Sequence, residues 1–280
     1  MSFAAGALAF CALGLALHAA RPAPKFTAAR PDQAEGGAVL AQFRTVGIQG
    51  DYWLGFELRV IPRRGTERQL RGEMAGMPGP AGPLTRVQVD DPASPGPARR
   101  QAFLLQGPTA AWRWSAATDN GRPIQVEAEQ ALEPIHGTDL TLFDLQMPFL
   151  QWTDFVYEGI ANVRGRPAHA FLLYPPAGFP ATGPAAVRVF LDTQFGAMTQ
   201  AEWVGSDGRA LKTVTVLDLK KIDEQWVVKS IDLRNHRTRD KTRFALTAAA
   251  LGQAMPPATF LPEGLSGELP AVPAERVQRF

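Results

Sequence analysis

From Tyr52 the sequence alternates with a period of two: Leu54, Phe56, Leu58 and Val60 point one way and Glu57 and Arg59 the other, until Pro62 ends the run. Similar short runs return at residues 69–74, 84–89, 102–105, 112–116 and 124–128, and again at 168–174, 187–191, 198–204, 211–220, 226–233 and 241–247. The joints between them decide the topology. Arg164-Gly165, Asp207-Gly208, Asp223-Glu224 and the segment 235–240 are short and polar, and Asn120-Gly121 is a two-residue hairpin signal. Strands joined by tight turns, not helices, form an antiparallel sheet. The 26 glycines and 24 prolines supply such turns, and the loop 91–97, with three prolines, cannot be a strand. About ten or eleven strands are expected, too many for a flat twisted sheet, so the sheet should curl into a barrel or partial barrel. The fold class is α+β, mainly β.

Two segments break the period. Asp32 with Glu35 has capping-box spacing, and Val39, Leu40, Phe43 and Val46 follow at helical intervals, which predicts an amphipathic helix ending near Gly47. Gly36 and Gly37 each weaken it by about 1 kcal/mol relative to alanine, so it must rely on packing against a sheet. Between the halves, Thr141 and Asp144 can cap a short helix with Leu142 and Leu145 on one face, and Pro148 breaks it before Phe149 and Trp152. An apolar broken helix of this kind suits the cover of a curved sheet's concave face.

Residues 3–17 carry no charge, a run shorter than the roughly 20 residues of a membrane-spanning helix and closer to a signal-peptide core. No Lys or Arg precedes it, and Ala19 and Ala20 follow without an A-x-A site. Residues 1–20 are therefore expected to be a signal peptide or an uncleaved N-terminal anchor. Either places the remainder outside the cytoplasm. The single cysteine, Cys11, lies in this run, so neither a disulfide nor a cysteine-based metal site is available downstream. Phe10 is large where a lipoprotein cleavage box needs a small residue before the cysteine.

The 29 basic and 27 acidic residues nearly balance, which argues against a nucleic-acid partner. Catalytic signatures are missing. His136, His169 and His236 have no metal-ligand spacing, Gly264-Leu265-Ser266-Gly267 falls one position short of G-x-S-x-G, and Gly76, Gly79 and Gly82 alternate with prolines that preclude a phosphate cradle. No enzyme activity, cofactor or metal is expected. Arg63, Arg64, Arg68 and Arg71, opposed only by Glu67, fall at a hairpin and are candidates for a headgroup-binding or membrane-facing rim.

Several stretches together carry a family likeness: Val187-Arg188-Val189-Phe190-Leu191-Asp192, Asp207-Gly208-Arg209, Lys220-Lys221-Ile222-Asp223 with Gln225-Trp226-Val227, Ile231 to Thr238, Lys241-Thr242-Arg243 and Phe260-Leu261-Pro262. Upstream, Asp139-Leu140, Pro148-Phe149-Leu150 and Val163 to Ala168 match the same family's middle section. In their order and spacing these resemble the outer-membrane lipoprotein-sorting proteins, the LolA-like periplasmic carriers. The resemblance implies an unclosed half-barrel with short helices as a lid over an apolar cavity for acyl chains. It divides the chain into a signal or anchor (1–20), a Pro/Ala-rich linker (21–31), one half-barrel domain (32–268) and a Pro-containing tail (269–280). The implied function is non-enzymatic carriage of lipid acyl chains or lipoproteins by a monomer, with an inner-membrane transporter or outer-membrane acceptor as partner. A sensor or adaptor binding a protein segment is the alternative. Candidate cavity residues are Leu54, Phe56, Leu58, Val60, Trp112, Trp114, Leu142, Leu145, Phe149, Trp152, Phe171 and Leu173.

Overall fold

A computed structural model describes residues 21–24, 31–108, 110–118 and 120–280. The expected export segment, Cys11 and most of the linker lie outside the described residues. The described residues form a mainly β fold of fourteen strands: β1 (Asp51–Ile61), β2 (Arg68–Met77), β3 (Leu84–Asp90), β4 (Arg100–Gln106), β5 (Ala110–Ser115), β6 (Ile124–Gln125), β7 (Phe155–Val163), β8 (Arg166–Leu173), β9 (Ala186–Asp192), β10 (Met198–Val204), β11 (Ala210–Ile222), β12 (Gln225–Asn235), β13 (Lys241–Gln253) and β14 (Gln278–Arg279). Two helices accompany them, α1 (Gln33–Phe43) and α2 (Leu142–Gln146).

All the strands belong to one curved antiparallel sheet in the order β6-β5-β4-β3-β2-β1-β13-β12-β11-β10-β9-β8-β7, with β14 added on β13. The first and last thirds of the chain meet at its centre, where β1 pairs with β13 from Asp51↔Gln253 to Ile61↔Lys241. The two edges, β6 and β7, are consecutive in sequence yet do not pair, so the sheet is an unclosed half-barrel.

The predicted turns have the backbone that such joints need. Arg164 and Gly165 have φ of 53° and 85°, and Asp223 and Glu224 have 44° and 64°, the left-handed pairs that let a two-residue loop follow the strand twist. Asn120 and Gly121 are also left-handed, at 49° and 70°, but they sit within a longer connection from Ser115 to Ile124.

Strand β7 was not legible as a strand. Its alternation is interrupted by Gly159 and by a bulge between Tyr157 and Gly159. The alanine-rich end of β13 and the two-residue β14 likewise go beyond the expected runs, because pairing with β1 and β13 supplies what propensity does not. Strands β7 and β14 have no counterpart among the expected runs, while the end of β13 lengthens a strand that was expected.

Helix α1 starts where expected. The Asp32 carboxylate accepts from the N–H groups of Ala34 (2.8 Å) and Glu35 (3.4 Å). The helix packs on β7 and β8, burying Leu40 completely beside Tyr157 and Phe171. Gln33 binds the open edge of β7, donating to the Tyr157 carbonyl and accepting from its N–H, both at 2.8 Å. Gly36 permits this approach, since a Cβ there would lie 2.4 Å from the Tyr157 ring. At Gly37 the nearest atom would be 3.8 Å away.

Gly36→Ala should therefore destabilise the fold by about 1–3 kcal/mol through overpacking. Gly37→Ala should stabilise it by up to about 1 kcal/mol through helix propensity. Urea unfolding of the two variants beside the parent checks both signs.

Candidate functional site

Because β6 and β7 lie at opposite edges, the chain between them must cross the sheet. Residues 126–154 do so over one face, here termed the inner face. Val126, Ile135, Leu140 and Leu142 pack on Leu54, Phe56, Leu58, Leu70, Val87, Val89, Phe103 and Phe244. Further along, Phe143, Phe149 and Trp152 join Phe171, Leu173, Val187, Val189, Leu191 and Trp203 beneath α1. The crossing segment is thus a plug that caps two adjoining apolar clusters.

Its local structure is the broken helix read from the sequence. Thr141 and Asp144 form a reciprocal capping box, Met147 turns left-handed with φ 48°, and Pro148–Gln151 continue as a 3-10 turn. Phe143 meets Trp203 edge-on at 5.0 Å and Phe149 at 5.6 Å, while Trp152 meets Phe179 at 5.3 Å. Such pairs add about 0.5–1.5 kcal/mol each beyond burial.

A few polar links tie the plug to the sheet and to α1. Lys212 on β11 places Nζ 2.5 Å from Asp144 Oδ2 and 3.9 Å from the centre of the Trp203 ring, and both charged side chains are almost wholly buried. Asp144 Oδ1 is buried without a hydrogen-bond partner. Arg44, the C-cap of α1, donates to the carbonyls of Leu150 (2.5 Å) and Trp152 (2.9 Å), and burial lowers its guanidinium pKa. Gln146 donates to the carbonyls of Gly107 and Ala110, both at 2.9 Å. Thr242 accepts from the Asp139 N–H at 2.8 Å and donates to its carboxylate at 3.0 Å, while burial raises the Asp139 pKa.

Beside the plug a cavity of about 280 Å³ opens between the end of α1 and the ends of β8 and β9. Val39, Phe43, Leu191 and Phe195 give it apolar walls, with His169 and Asp192 among the polar lining. Val46 and Phe195 at its rim are 65% and 61% exposed, unusual for residues of their size. His169 Nδ1 lies 2.8 Å from the Tyr157 hydroxyl. Asp192 accepts from Arg166 Nε at 2.7 Å and from the N–H groups of Gln194 and Phe195, which fixes the rim turn. The Arg166 hydrogen bond, ahead of the turn's N–H groups, holds its pKa down to about 2. A second cleft, about 500 Å³ and lined by Asp223, Gln225, Glu275 and Arg276 among others, is mainly polar.

The candidate residues divide by face. Leu54, Phe56, Leu58, Leu142, Phe149, Trp152, Phe171 and Leu173 are buried in the two inner clusters, with Val60 and Leu145 packed against the first. Trp112 and Trp114 lie on the outer face, under the segment carrying Met255, Phe260, Leu265 and Leu269. The reason is register: Trp112 pairs with Leu104 and Trp114 with Ala102, both outward-facing positions of β4. Of the basic candidates, Arg63, Arg64 and Arg71 are exposed. Arg68 instead pairs with Asp91 at 2.6 Å and donates to the His136 carbonyl. The cavity-lining residues His169, Leu191 and Phe195 were not among the candidates. Only the helical spacing of Val39 and Phe43 pointed towards this wall. Among the described residues no cluster of His, Cys, Asp and Glu is placed to hold a metal, and no helix is long and apolar enough to cross a membrane.

A family model described as "-like: Uncharacterized protein" matches residues 92–266. No curated protein matches the sequence. Among solved structures, a putative outer membrane lipoprotein-sorting protein domain from Vibrio parahaemolyticus aligns with 84% of this chain and 100% of its own, with a TM-score of 0.71 and 17% identity. A DUF1329 family protein from Desulfovibrio piger aligns over 83% and 98%, with a TM-score of 0.69 and 14% identity. A LolA superfamily protein from Nitrosomonas europaea aligns over 80% and 96%, with a TM-score of 0.61 and 14% identity. At these identities the likeness is one of fold, and the fold is the expected LolA-like half-barrel.

The Asp192 interaction gives a pH signature. Its native carboxyl stays ionised to about pH 2, whereas an unfolded aspartate protonates near about 3.9. The stabilisation is therefore complete above about pH 5 and is lost as pH falls towards the native value. Asp192→Asn should unfold more easily than the parent at neutral pH, and the difference should vanish near about pH 2. Thermal unfolding across that range reads it.

Proposed function

The chain belongs to the uncharacterized-protein family whose model matches residues 92–266, and we propose that it is a non-enzymatic periplasmic carrier that holds lipid acyl chains on the inner face of its half-barrel. The observation that carries this reading is the plug: two apolar clusters capped by a discontinuous segment that a few polar links fasten, with a cavity of mixed polar and apolar lining opening at the α1 side of the second cluster. The lipoprotein-sorting and LolA superfamily proteins that share the fold support the choice of cargo class.

Magnitudes favour an exchange mechanism. A chain of about sixteen carbons gains about 12 kcal/mol gross on burial. The open cavity, about 280 Å³, falls just below the roughly 300–1,000 Å³ typical of small-molecule sites. A long chain is therefore accommodated by displacing plug side chains such as Leu142, Phe149 and Trp152, each worth about 1.5–3 kcal/mol of burial. The loss for these three, about 5–9 kcal/mol, offsets a large part of the gain, which suits a carrier that must also release its cargo. Lipoprotein is the larger cargo of the same chemistry, with an inner-membrane transporter and an outer-membrane acceptor as its donor and recipient.

An adaptor role is the second reading, favoured by the open edge of β7, where Ile160 is 55% exposed. A partner's strand would add there.

Mass spectrometry of solvent extracts from the natively purified protein should find lipid, and the delipidated protein should take up a fluorescent fatty acid at micromolar concentration. An empty, unresponsive protein that instead retains one stoichiometric polypeptide would replace the carrier reading with the adaptor. Lys212→Met leaves Asp144 buried without its cation, which typically costs about 3–5 kcal/mol. The variant should show a lower melting temperature together with faster fatty-acid uptake, measured by stopped-flow fluorescence.

A further inference from the structure

The strand turns gather at two ends of the half-barrel. Antiparallel neighbours alternate in direction, so the start of β1, the β7–β8 turn at Arg164-Gly165, the β9–β10 turn between Asp192 and Met198 and the β11–β12 turn at Asp223-Glu224 share one end. The β1–β2 turn with Arg63 and Arg64 lies at the other, roughly 35 Å away along the 11 residues of β1.

Among the described residues, the three most exposed large apolar side chains are Val46, Trp226 and Phe195, at 65%, 63% and 61%, and all three lie at the first end. Phe195 sits in the β9–β10 turn, Trp226 follows the β11–β12 turn, and Val46 belongs to the loop from α1 to β1. That loop connects the other two. Val46 and Phe195 both line the cavity of about 280 Å³. Further along the loop, the Gln49 N–H donates to Gln225 Oε1 at 2.7 Å and its carbonyl accepts from Gln225 Nε2 at 3.3 Å, which holds the loop beside Trp226. Exposed apolar side chains thus rim the cavity mouth. Cations stand among them. The Arg166 guanidinium lies 5.1 Å from the centre of the Phe195 ring, and Arg164 is exposed on the neighbouring turn. Asp192 pairs with Arg166, and Asp223 and Glu224 balance Lys220 and Lys221, so positive charge is in slight excess.

The amount and distribution of this surface decide what it fits. Three side chains, each a little over 60% exposed, offer roughly 400 Å², about half of the roughly 800 Å² per partner that a stable protein interface buries. They stand on separate turns with charged residues between them. That arrangement suits entry into a soft apolar phase, with aromatic rings at its boundary and guanidinium groups among the headgroups. We propose that this end of the half-barrel docks on a lipid bilayer, with Phe195, Trp226 and Val46 inserted and Arg164 and Arg166 at headgroup depth. The proposal rests on the carrier reading in that it brings the cavity mouth to the surface that supplies the acyl chain. It places the membrane-facing rim at the end opposite Arg63 and Arg64.

Depth-sensitive labelling of the full chain tests the docking. In a Cys11→Ser background, Val46→Cys, Phe195→Cys and, as the far-end control, Arg63→Cys each carry a nitrobenzoxadiazole fluorophore. Vesicles of phosphatidylcholine and phosphatidylglycerol are added with or without doxyl-labelled lipid as quencher. Emission at positions 46 and 195 should rise, shift to the blue and be quenched by the doxyl lipid, with no change at 63. No change at 46 and 195, an equal change at all three, or a change confined to 63 would overturn the proposal. A change at 46 and 195 that follows protein concentration without vesicles would overturn it in favour of a second copy. Trp226→Ser alters the rim but not the cavity walls, and so separates docking from carriage. Transfer of a fluorescent fatty acid from vesicles should slow by about tenfold or more, while uptake of the free fatty acid from solution stays at the parent rate. Unchanged transfer from vesicles overturns the docking. A parent that takes up fatty acid from neither source overturns the carrier reading, and the fluorophores still report whether this end enters the bilayer.

Discussion

Two consecutive strands, β6 and β7, end at opposite edges of one sheet, and most of the architecture follows from that separation. The chain between them has no route through the sheet and none of the tight-turn options available to its neighbours. It crosses the inner face, and there its apolar residues become part of the core. An open sheet of this size would otherwise present an unsupported apolar face to water. Core and crossover are therefore the same segment, and whatever displaces the crossover also opens the core.

The fastening of that segment is unequal along its length. Its first part, through Leu142, is held by side-chain packing in the larger cluster and by the Asp139–Thr242 pair. The second part depends on an ion pair under Trp203 and on two carbonyls presented to Arg44. Buried ion pairs contribute little net stability over apolar replacements, but breaking one side is costly. Lys212 and Asp144 thus specify where the plug sits more than they add to its stability. The unpaired Oδ1 of Asp144 shows that the position is not fully satisfied.

Much of this was legible in the sequence because local signals and tertiary structure agree. Period-two runs, left-handed joints such as Asp223-Glu224, the Asp32 cap and the Thr141/Asp144 capping box all appear where the residues place them. What was not legible depends on partners distant in sequence. Strand β7 hides behind a bulge, the end of β13 is a strand because β1 lies beside it, and alternation alone could not say that Trp112 faces outward while Phe56 faces inward. The cavity walls were missed for the same reason. His169 and Leu191 are ordinary strand residues until α1 is laid across their ends.

The hydrogen bonds from Gln33 to Tyr157 have a consequence at the level of the solution rather than the molecule. A half-barrel that leaves β7 open offers a row of backbone groups in strand geometry, a template on which another strand can add. The Gln33 carboxamide imitates one residue of a neighbouring strand at that row, donating and accepting as a backbone peptide would. One side chain thereby interrupts the template midway, with the bulge at Tyr157–Gly159 bending the rest out of register. The edge is thereby capped at Tyr157, and its exposed stretch lies beyond the bulge, around Ile160.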